Sequence, residues 1–163
     1  MIDSLAAEFT NSSPVGIAVL ILRILGAVVF CGAIGLEREF RNSAAGIRTN
    51  MLIGLAATVF TLVTLQMMTT LGQNIDTTRF DPIRLVEAVT AGIAFLAAGV
   101  IIYTRGDVRG LTTGASLWLS AAIGLCVGLG MWAVALTATI AGIVILWLLR
   151  KTEVAAGMKD EEE

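Results

Sequence analysis

The sequence contains no histidine, the side chain used most often as a general base, a transition-metal ligand and a charge switch near neutral pH. It also contains no GxSxG, Walker, CxxC or EF-hand pattern. Cys31 and Cys126 lie inside apolar runs near opposite ends of the bilayer in the topology given below, so no disulfide is expected between them. Together these absences argue against an enzyme and predict no catalytic residue.

Charged residues are also scarce. They make up 15% of the 163 residues, whereas 56% are hydrophobic and the mean hydropathy is +0.86. A soluble domain carries roughly a quarter charged residues, so this balance indicates lipid as the solvent. Because one span needs about 20 apolar residues, five spans with short loops use nearly the whole chain. The sequence therefore predicts an all-α membrane protein, a bundle of five transmembrane helices.

Five apolar segments account for these spans. Asp81-Pro82 starts the third span, since proline suits the first helical turn, and Gly128-Leu129-Gly130 divides the last apolar run into two. The predicted organisation is an extracytoplasmic segment at 1–14, a transmembrane domain at 15–149 and a charged cytoplasmic tail at 150–163. The spans run over about 15–36, 49–71, 83–103, 111–127 and 131–149.

The basic residues give this bundle a direction. Cytoplasmic ends of membrane helices carry an excess of Lys and Arg. With five spans, only Arg79 and Arg84 lie on one side, and Arg23 lies within a span. We therefore predict that the N-terminus is outside and the C-terminus is in the cytoplasm of the bacterial inner membrane. The basic residues assigned to the cytoplasmic side are Arg38, Arg41, Arg48, Arg105, Arg109, Arg150, Lys151 and Lys159.

Small residues at helical spacing predict close helix contacts, because helices in lipid associate through backbone approach and buried polar groups. Hydroxyl groups recur on spans two and four, for example at Thr58, Thr61 and Ser120. Packing is favoured over a solute pathway for these groups, since Ser and Thr readily bond their own helix backbone. The abundance of glycine also favours a homodimer in contact with membrane lipids. The predicted packing glycines are Gly35, Gly92, Gly99, Gly124 and Gly128.

Arg23 lies about nine residues into span one, roughly 13 Å below the outer edge at 1.5 Å per residue. An arginine at this depth needs either a partner or a route for its side chain to the interface. Glu87, one turn into span three, is the acid at a comparable depth. We predict an Arg23–Glu87 ion pair, with a lone outward-reaching Arg23 as the alternative.

A second charged group comprises Glu37, Arg38, Glu39, Arg41 and Arg48, at the cytoplasmic ends of spans one and two. These residues are either topology anchors or a bundle mouth in which Arg38 or Arg48 holds Glu37. Mg²⁺ prefers one or two carboxylates with waters, so single acids contribute only within a wider site. No cofactor is predicted beyond possible Mg²⁺, and the short basic loops without interleaved aromatics predict no nucleic-acid binding. The weak metal candidates are Glu37, Asp81 and Glu87, and Arg84 joins Asp81 among the charges of functional interest.

Several motifs follow one another along the chain: GLEREFR at 35–41, AGIRT at 45–49, DPIR at 81–84, GIAFLAAG at 92–99, GLTTGASLW at 110–118 and AIG…GLG at 122–130. The order of these motifs resembles the MgtC/SapB family of bacterial membrane proteins. The resemblance extends from about Arg23 to Leu149. Members commonly read GIGFLGAG where this chain has Ala94 and Ala97, which predicts altered packing around span three.

This resemblance implies an inner-membrane protein linked to growth in low magnesium and, in pathogens, to survival inside macrophages. It also implies action on the F-type ATP synthase, and direct magnesium transport has been doubted for the family. Some members carry a soluble C-terminal domain, whose functions are not transferred to this chain. Regulation of another membrane complex is the first hypothesis. A transporter or channel for Mg²⁺ or another cation is the alternative, and a lipid-modifying enzyme is a weak third.

Overall fold

The computed structural model describes residues 15–71, 81, 83–104 and 107–155. These residues form five α-helices and one short antiparallel hairpin between the third and fourth helices. The helices are α1 (Ile17–Glu39), α2 (Ile47–Leu71), α3 (Ile83–Val100), α4 (Leu111–Leu129) and α5 (Trp132–Ala155), and the strands are β1 (Ile102–Thr104) and β2 (Asp107–Arg109).

Four of the helices are long and apolar enough to cross a bilayer: α1, α2 over Ile47–Thr70, α3 and α4. The apolar part of α5 is the shorter stretch Trp132–Leu148. Many large apolar side chains of these helices, such as Leu25 and Phe95, are exposed on the outside of the bundle. In water this surface would be unfavourable, whereas in lipid it is the normal exterior of a membrane bundle. The helical membrane class is thus supported, while the span count and the orientation stay predictions.

The end of the third helix differs from the expectation. Span three was predicted to reach Tyr103, but α3 ends at Val100 and Tyr103 pairs with Val108 in the β1–β2 hairpin. The β-branched and aromatic residues on either side of this connection favour strands over a continued helix. Gly110, with φ of 88°, then starts α4 and passes so close to the carbonyl oxygen of Val100 that a Cβ there would overlap it.

The predicted break between the fourth and fifth helices is confirmed. Gly130 has φ of 80° and follows directly after α4, and its N–H donates to the carbonyl of Val127. The N–H of Met131 donates to the carbonyl of Cys126 at 2.8 Å. This is the usual way in which a glycine in the left-handed region ends a helix and satisfies its last carbonyls.

The fourth helix is the central element of the bundle. It packs against α1, α2, α3 and α5. In its most apolar stretch 61% of the residues are buried, compared with 6% in that of α3. One core lies between α1, α4 and α5, and a second lies between α2, α3 and α4. The buried residues of the first are Ala27, Cys31, Ile34, Ile123, Val127 and Ala135, and those of the second are Ala45, Ile53, Ile93, Leu117 and Ala121.

Candidate functional site

A close helix contact joins α2 to α4 at Gly124. A Cβ on Gly124 would overlap the carbonyl oxygen of Gly54 and lie 2.9 Å from the Cβ of Ala57. Because Gly124 has no side chain, the backbone of α2 approaches closely enough for Thr58 Oγ1 to donate to the carbonyl of Gly124 at 2.8 Å. Gly54 serves a different contact, because a Cβ there would overlap Cys31 Sγ on α1. One turn further along, Gly128 packs in the same way against Thr61.

A buried amide links the first turn of α2 to the middle of α4. Asn50 is fully buried, and its Nδ2 donates to the carbonyls of Ala45 and Gly46 at 3.2 and 2.8 Å. Its Oδ1 accepts a hydrogen bond of 2.8 Å from Ser120 Oγ. The carbonyl of Ser120 in turn accepts from Cys31 Sγ on α1 at 3.3 Å. Three helices therefore meet in one internal hydrogen-bond network.

Gly35 brings α1 onto this network. A Cβ at Gly35 would lie 2.6 Å from the Cα of Ile47 and 3.1 Å from the Cβ of Asn50. Gly35, Gly124 and Gly128 therefore lie at close helix contacts. Gly92 and Gly99 do not, because a Cβ on either one would meet nothing within 4 Å in the described part of the chain. Both lie on the exposed side of α3.

The predicted Arg23–Glu87 ion pair is wrong. Arg23 Nη1 donates to the carbonyl of Gly128 at 2.7 Å, and its Nη2 lies against Gly130. Glu87 is exposed on α3, which packs mainly against α4 rather than α1. Arg23 has therefore found its partner in the carbonyl end of α4, where the helix dipole favours a positive charge.

The charged group at the end of α1 is centred on Glu37. Its Oε2 accepts from Arg38 Nε at 2.7 Å, and its Oε1 accepts from Arg41 Nε at 3.1 Å. The side chains of Glu37 and Arg38 are only 11% and 8% exposed, and that of Arg41 is 28% exposed. Of the two arginines proposed to hold Glu37, the structure brings Arg38 to it, whereas Arg48 is exposed on α2.

Two other acids cap helices. Glu39 Oε2 accepts from the N–H of Ile47 at 3.0 Å, at the start of α2, and Asp81 Oδ1 accepts from the N–H of Ile83 at 3.0 Å, at the start of α3. A carboxylate at either position satisfies an otherwise unpaired helix donor and complements the helix dipole. Arg84 lies exposed in the first turn of α3.

The acids that the structure describes do not fit a magnesium site. Both oxygens of Glu37 are occupied by arginines, Asp81 caps α3, and Glu87 lies exposed on a helix surface. Among the described residues, no three Asp, Glu, His or Cys side chains are grouped closely enough to hold a metal ion. A hard cation needs several oxygen ligands directed to one point, which these carboxylates do not provide.

The sequence interpretation missed Asn50 and the capping role of Glu39. An amide inside an apolar span is a signal in itself, because a buried amide must find several hydrogen-bond partners. Both cysteines are free, as expected. The hydroxyls behave in two ways: Thr61 and Ser116 bond their own helix, whereas Thr58 and Ser120 bond across helices.

These features define a helical membrane protein held together by glycine contacts and internal polar ties. The chain belongs to the MgtC family, because the family model described as MgtC family matches residues 24–155. The resemblance that the motifs suggested is therefore confirmed.

Several curated proteins are similar to this chain. The Salmonella typhimurium (strain LT2) Protein MgtC is 40% identical over 131 residues, which is 80% of this chain and 52% of the relative. The Escherichia coli (strain K12) protein named "Putative magnesium transporter YhiD" is 35% identical over 129 residues, which is 79% of this chain and 60% of the relative. This chain thus spans between half and two thirds of the length of these relatives. No solved structure matches it.

Proposed function

We propose that this chain is a magnesium-related inner-membrane protein that regulates another membrane complex, such as the F-type ATP synthase, and has no catalytic activity of its own. Membership of the MgtC family and the names of the relatives support the link to magnesium. The family resemblance suggests ATP synthase as the partner, and co-purification together with proton pumping tests this choice.

One observation carries the regulatory interpretation: the buried amide and most of the buried hydroxyls of the described bundle are bonded to each other or to backbone carbonyls. Among the described residues, the buried atoms without a hydrogen-bond partner are Arg23 Nε and Gln66 Oε1. Asn50, Thr58 and Ser120 are fully buried and have their partners on neighbouring helices. A solute pathway needs polar groups that exchange their partners with water or an ion. Groups used in this way instead hold helices at a fixed separation.

The net charge of Glu37 and the two arginines bound to it supports the same interpretation. With Arg38 and Arg41 on its two oxygens, the cluster has one negative and two positive charges, a net charge of +1. A passing cation meets a positive net charge there, which is unfavourable for a conduction pathway. Transport of Mg²⁺ or another cation is the alternative function, suggested by the name of the Escherichia coli relative.

A homodimer is part of this proposal. The side of α3 that carries Gly92 and Gly99 is exposed, and a second helix could approach its backbone there without steric conflict. If this side is the contact, purified protein elutes as a dimer in mild detergent and Gly92→Leu elutes as a monomer, as measured by size exclusion with light scattering. Elution of both proteins as the same species would exclude this contact.

The test combines binding with transport. Tagged protein is purified from its native membranes after mild cross-linking, and ATP-driven proton pumping is measured in inverted vesicles with and without it. We expect ATP synthase subunits to co-purify and the pumping rate to change. In parallel, the protein is reconstituted in liposomes that contain a Mg²⁺-sensitive dye, with Glu37→Gln as the variant and exposed Glu87→Gln as its control.

The two outcomes separate the functions. A Mg²⁺ flux that Glu37→Gln abolishes and Glu87→Gln leaves intact would overturn the regulatory proposal in favour of transport. The absence of Mg²⁺ flux into the liposomes, together with co-purified ATP synthase, supports regulation. The absence of Mg²⁺ flux together with unchanged proton pumping would rule out the ATP synthase as the regulated complex.

A further inference from the structure

A groove of about 380 Å³ lies on the outer surface of the bundle, beside the end of α1. Its wall is apolar and consists of Ala33 and Leu36 on α1, Phe40 directly after α1, and Trp147 on α5. Leu36, Phe40 and Trp147 are 46%, 78% and 51% exposed. In a membrane, a groove with such a wall on the lipid-facing surface is filled by acyl chains, because water has no hydrogen-bond partners there.

The mouth of the groove is charged. Glu37 and Arg41 line it, and Arg38 binds the other oxygen of Glu37. The carboxylate engages Arg41 through Nε, so the guanidinium is held in place while its side chain stays 28% exposed. A guanidinium fixed in this way keeps its terminal N–H groups for a second acceptor, and paired N–H donors match the oxygens of a phosphate.

The position of the groove along the helices suits a lipid headgroup. Phe40 and Arg41 follow directly after the end of α1 at Glu39. Arg150 and Lys151 follow Trp147 in the sequence by three and four residues. Tryptophan is enriched at the level of the headgroups, and basic residues beside membrane helices attract anionic lipids. An apolar wall and a positive mouth thus adjoin at the membrane–water boundary.

From this arrangement we propose that the groove between α1 and α5 is a binding site for one anionic phospholipid. An acyl chain lies along Ala33, Leu36 and Trp147, and the headgroup phosphate is bound by Arg41, which Glu37 orients. The net charge of +1 on Glu37, Arg38 and Arg41 complements a phosphate diester and selects against zwitterionic lipids. The site is independent of the regulatory function proposed above.

Native mass spectrometry tests the site. Full-length protein in mild detergent is titrated with phosphatidylglycerol or phosphatidylcholine of the same acyl chains, and the lipid molecules that stay bound are counted. Wild-type protein is expected to retain one phosphatidylglycerol in preference to phosphatidylcholine. Arg41→Gln should weaken phosphatidylglycerol retention about five-fold, the size expected for one basic residue at a membrane surface, and leave phosphatidylcholine unchanged.

Two further variants keep the result decisive. Arg48→Gln is the matched control, because Arg48 is an exposed arginine near the same end of the bundle that does not line the groove. It should retain phosphatidylglycerol like the wild type. Ala33→Phe places a larger side chain in the apolar part of the groove and leaves Glu37 and Arg41 unchanged, so it should lower the retention of both lipids.

Three results would overturn the site. One is equal retention of the two lipids by the wild type, and the second is an equal loss with Arg48→Gln and Arg41→Gln, which would indicate diffuse surface charge. The third is full retention by a folded Ala33→Phe protein. That last variant also decides the matter if Arg41→Gln unfolds the end of α1.

Discussion

Asn50 shows how much one side chain organises in this bundle. Its amide bonds two carbonyls that precede α2 and the hydroxyl of Ser120 on α4, and the bonds to Ala45 and Ser120 are buried. A polar group in lipid without a partner is unfavourable, so such a side chain fixes the register of the helices it joins. The sequence signals that this residue needs partners, but only the folded chain identifies them.

Replacement of Asn50 by alanine is expected to destabilise the protein by about 1–2 kcal/mol, because Ser120 Oγ loses its acceptor and two carbonyls lose a donor. Reversible unfolding in detergent or bicelles measures the change. Thr137→Ala is the control, since the hydroxyl of Thr137 is exposed and bonds only the carbonyl of Ala133 on its own helix. An equal effect of the two variants would contradict a special role for Asn50.

Arg23 is the second residue whose partner is decided by the fold. We expect Arg23→Leu to destabilise the protein by about 1–2 kcal/mol, since it removes a charge-assisted hydrogen bond from the carbonyl end of α4. Glu87→Gln should leave the unfolding free energy unchanged, because Glu87 is exposed. If Arg23→Glu destabilised the protein and Glu87→Arg in the same chain recovered the lost stability, the result would support the Arg23–Glu87 pair instead.

At the level of whole elements, glycine determines which helices touch. The α2–α4 contact depends on Gly124, and the α1–α2 contact depends on Gly35 and Gly54. The sequence marks all the glycines alike. Whether a glycine faces a neighbouring helix depends on the rotation of its own helix, and for α3 this rotation leaves Gly92 and Gly99 exposed.

Gly124→Ala should separate α2 from α4 and destabilise the protein by about 1–3 kcal/mol, since its Cβ meets backbone rather than a flexible side chain. Unfolding is measured on the monomeric fraction. Gly92→Ala is the matched control, for which we expect a change within about 1 kcal/mol and of stabilising sign, because alanine is the better helix former and the space is open. Equal destabilisation by both variants would show that the α2–α4 contact has no special importance.

For the molecule as a whole, the structure fixes the relative directions of several helices. The contacts of Asn50 with Ser120 and of Thr58 with Gly124 run in the same order, so α2 and α4 are parallel. Arg23, early in α1, meets the end of α4, so these two helices are antiparallel. Helices that alternate in this way agree with successive membrane crossings, and the side that faces the cytoplasm stays a prediction from the positive charges.

Fusion proteins test that prediction. Gln73 lies in the predicted outer loop between spans two and three. Alkaline phosphatase, which is active only outside the cytoplasm, should be active when fused after Gln73 and inactive when fused to the C-terminus. Green fluorescent protein at the same two positions should behave in the opposite way. If phosphatase is active at the C-terminus and inactive after Gln73, the bundle is inverted, and equal activity at both positions would contradict a count of five spans.

The sequence by itself determined the solvent, the helical class, the break at Gly130 and the family, because these depend on composition, local backbone preference and ordered motifs. Tertiary structure alone decided the rest. It assigned Arg23 to Gly128 and Asn50 to Ser120, joined α3 to α4 by a hairpin and left two predicted packing glycines on the outside. The physical reason is that spacing along a helix specifies which residues share a face, whereas the neighbour of that face depends on how all the helices pack together.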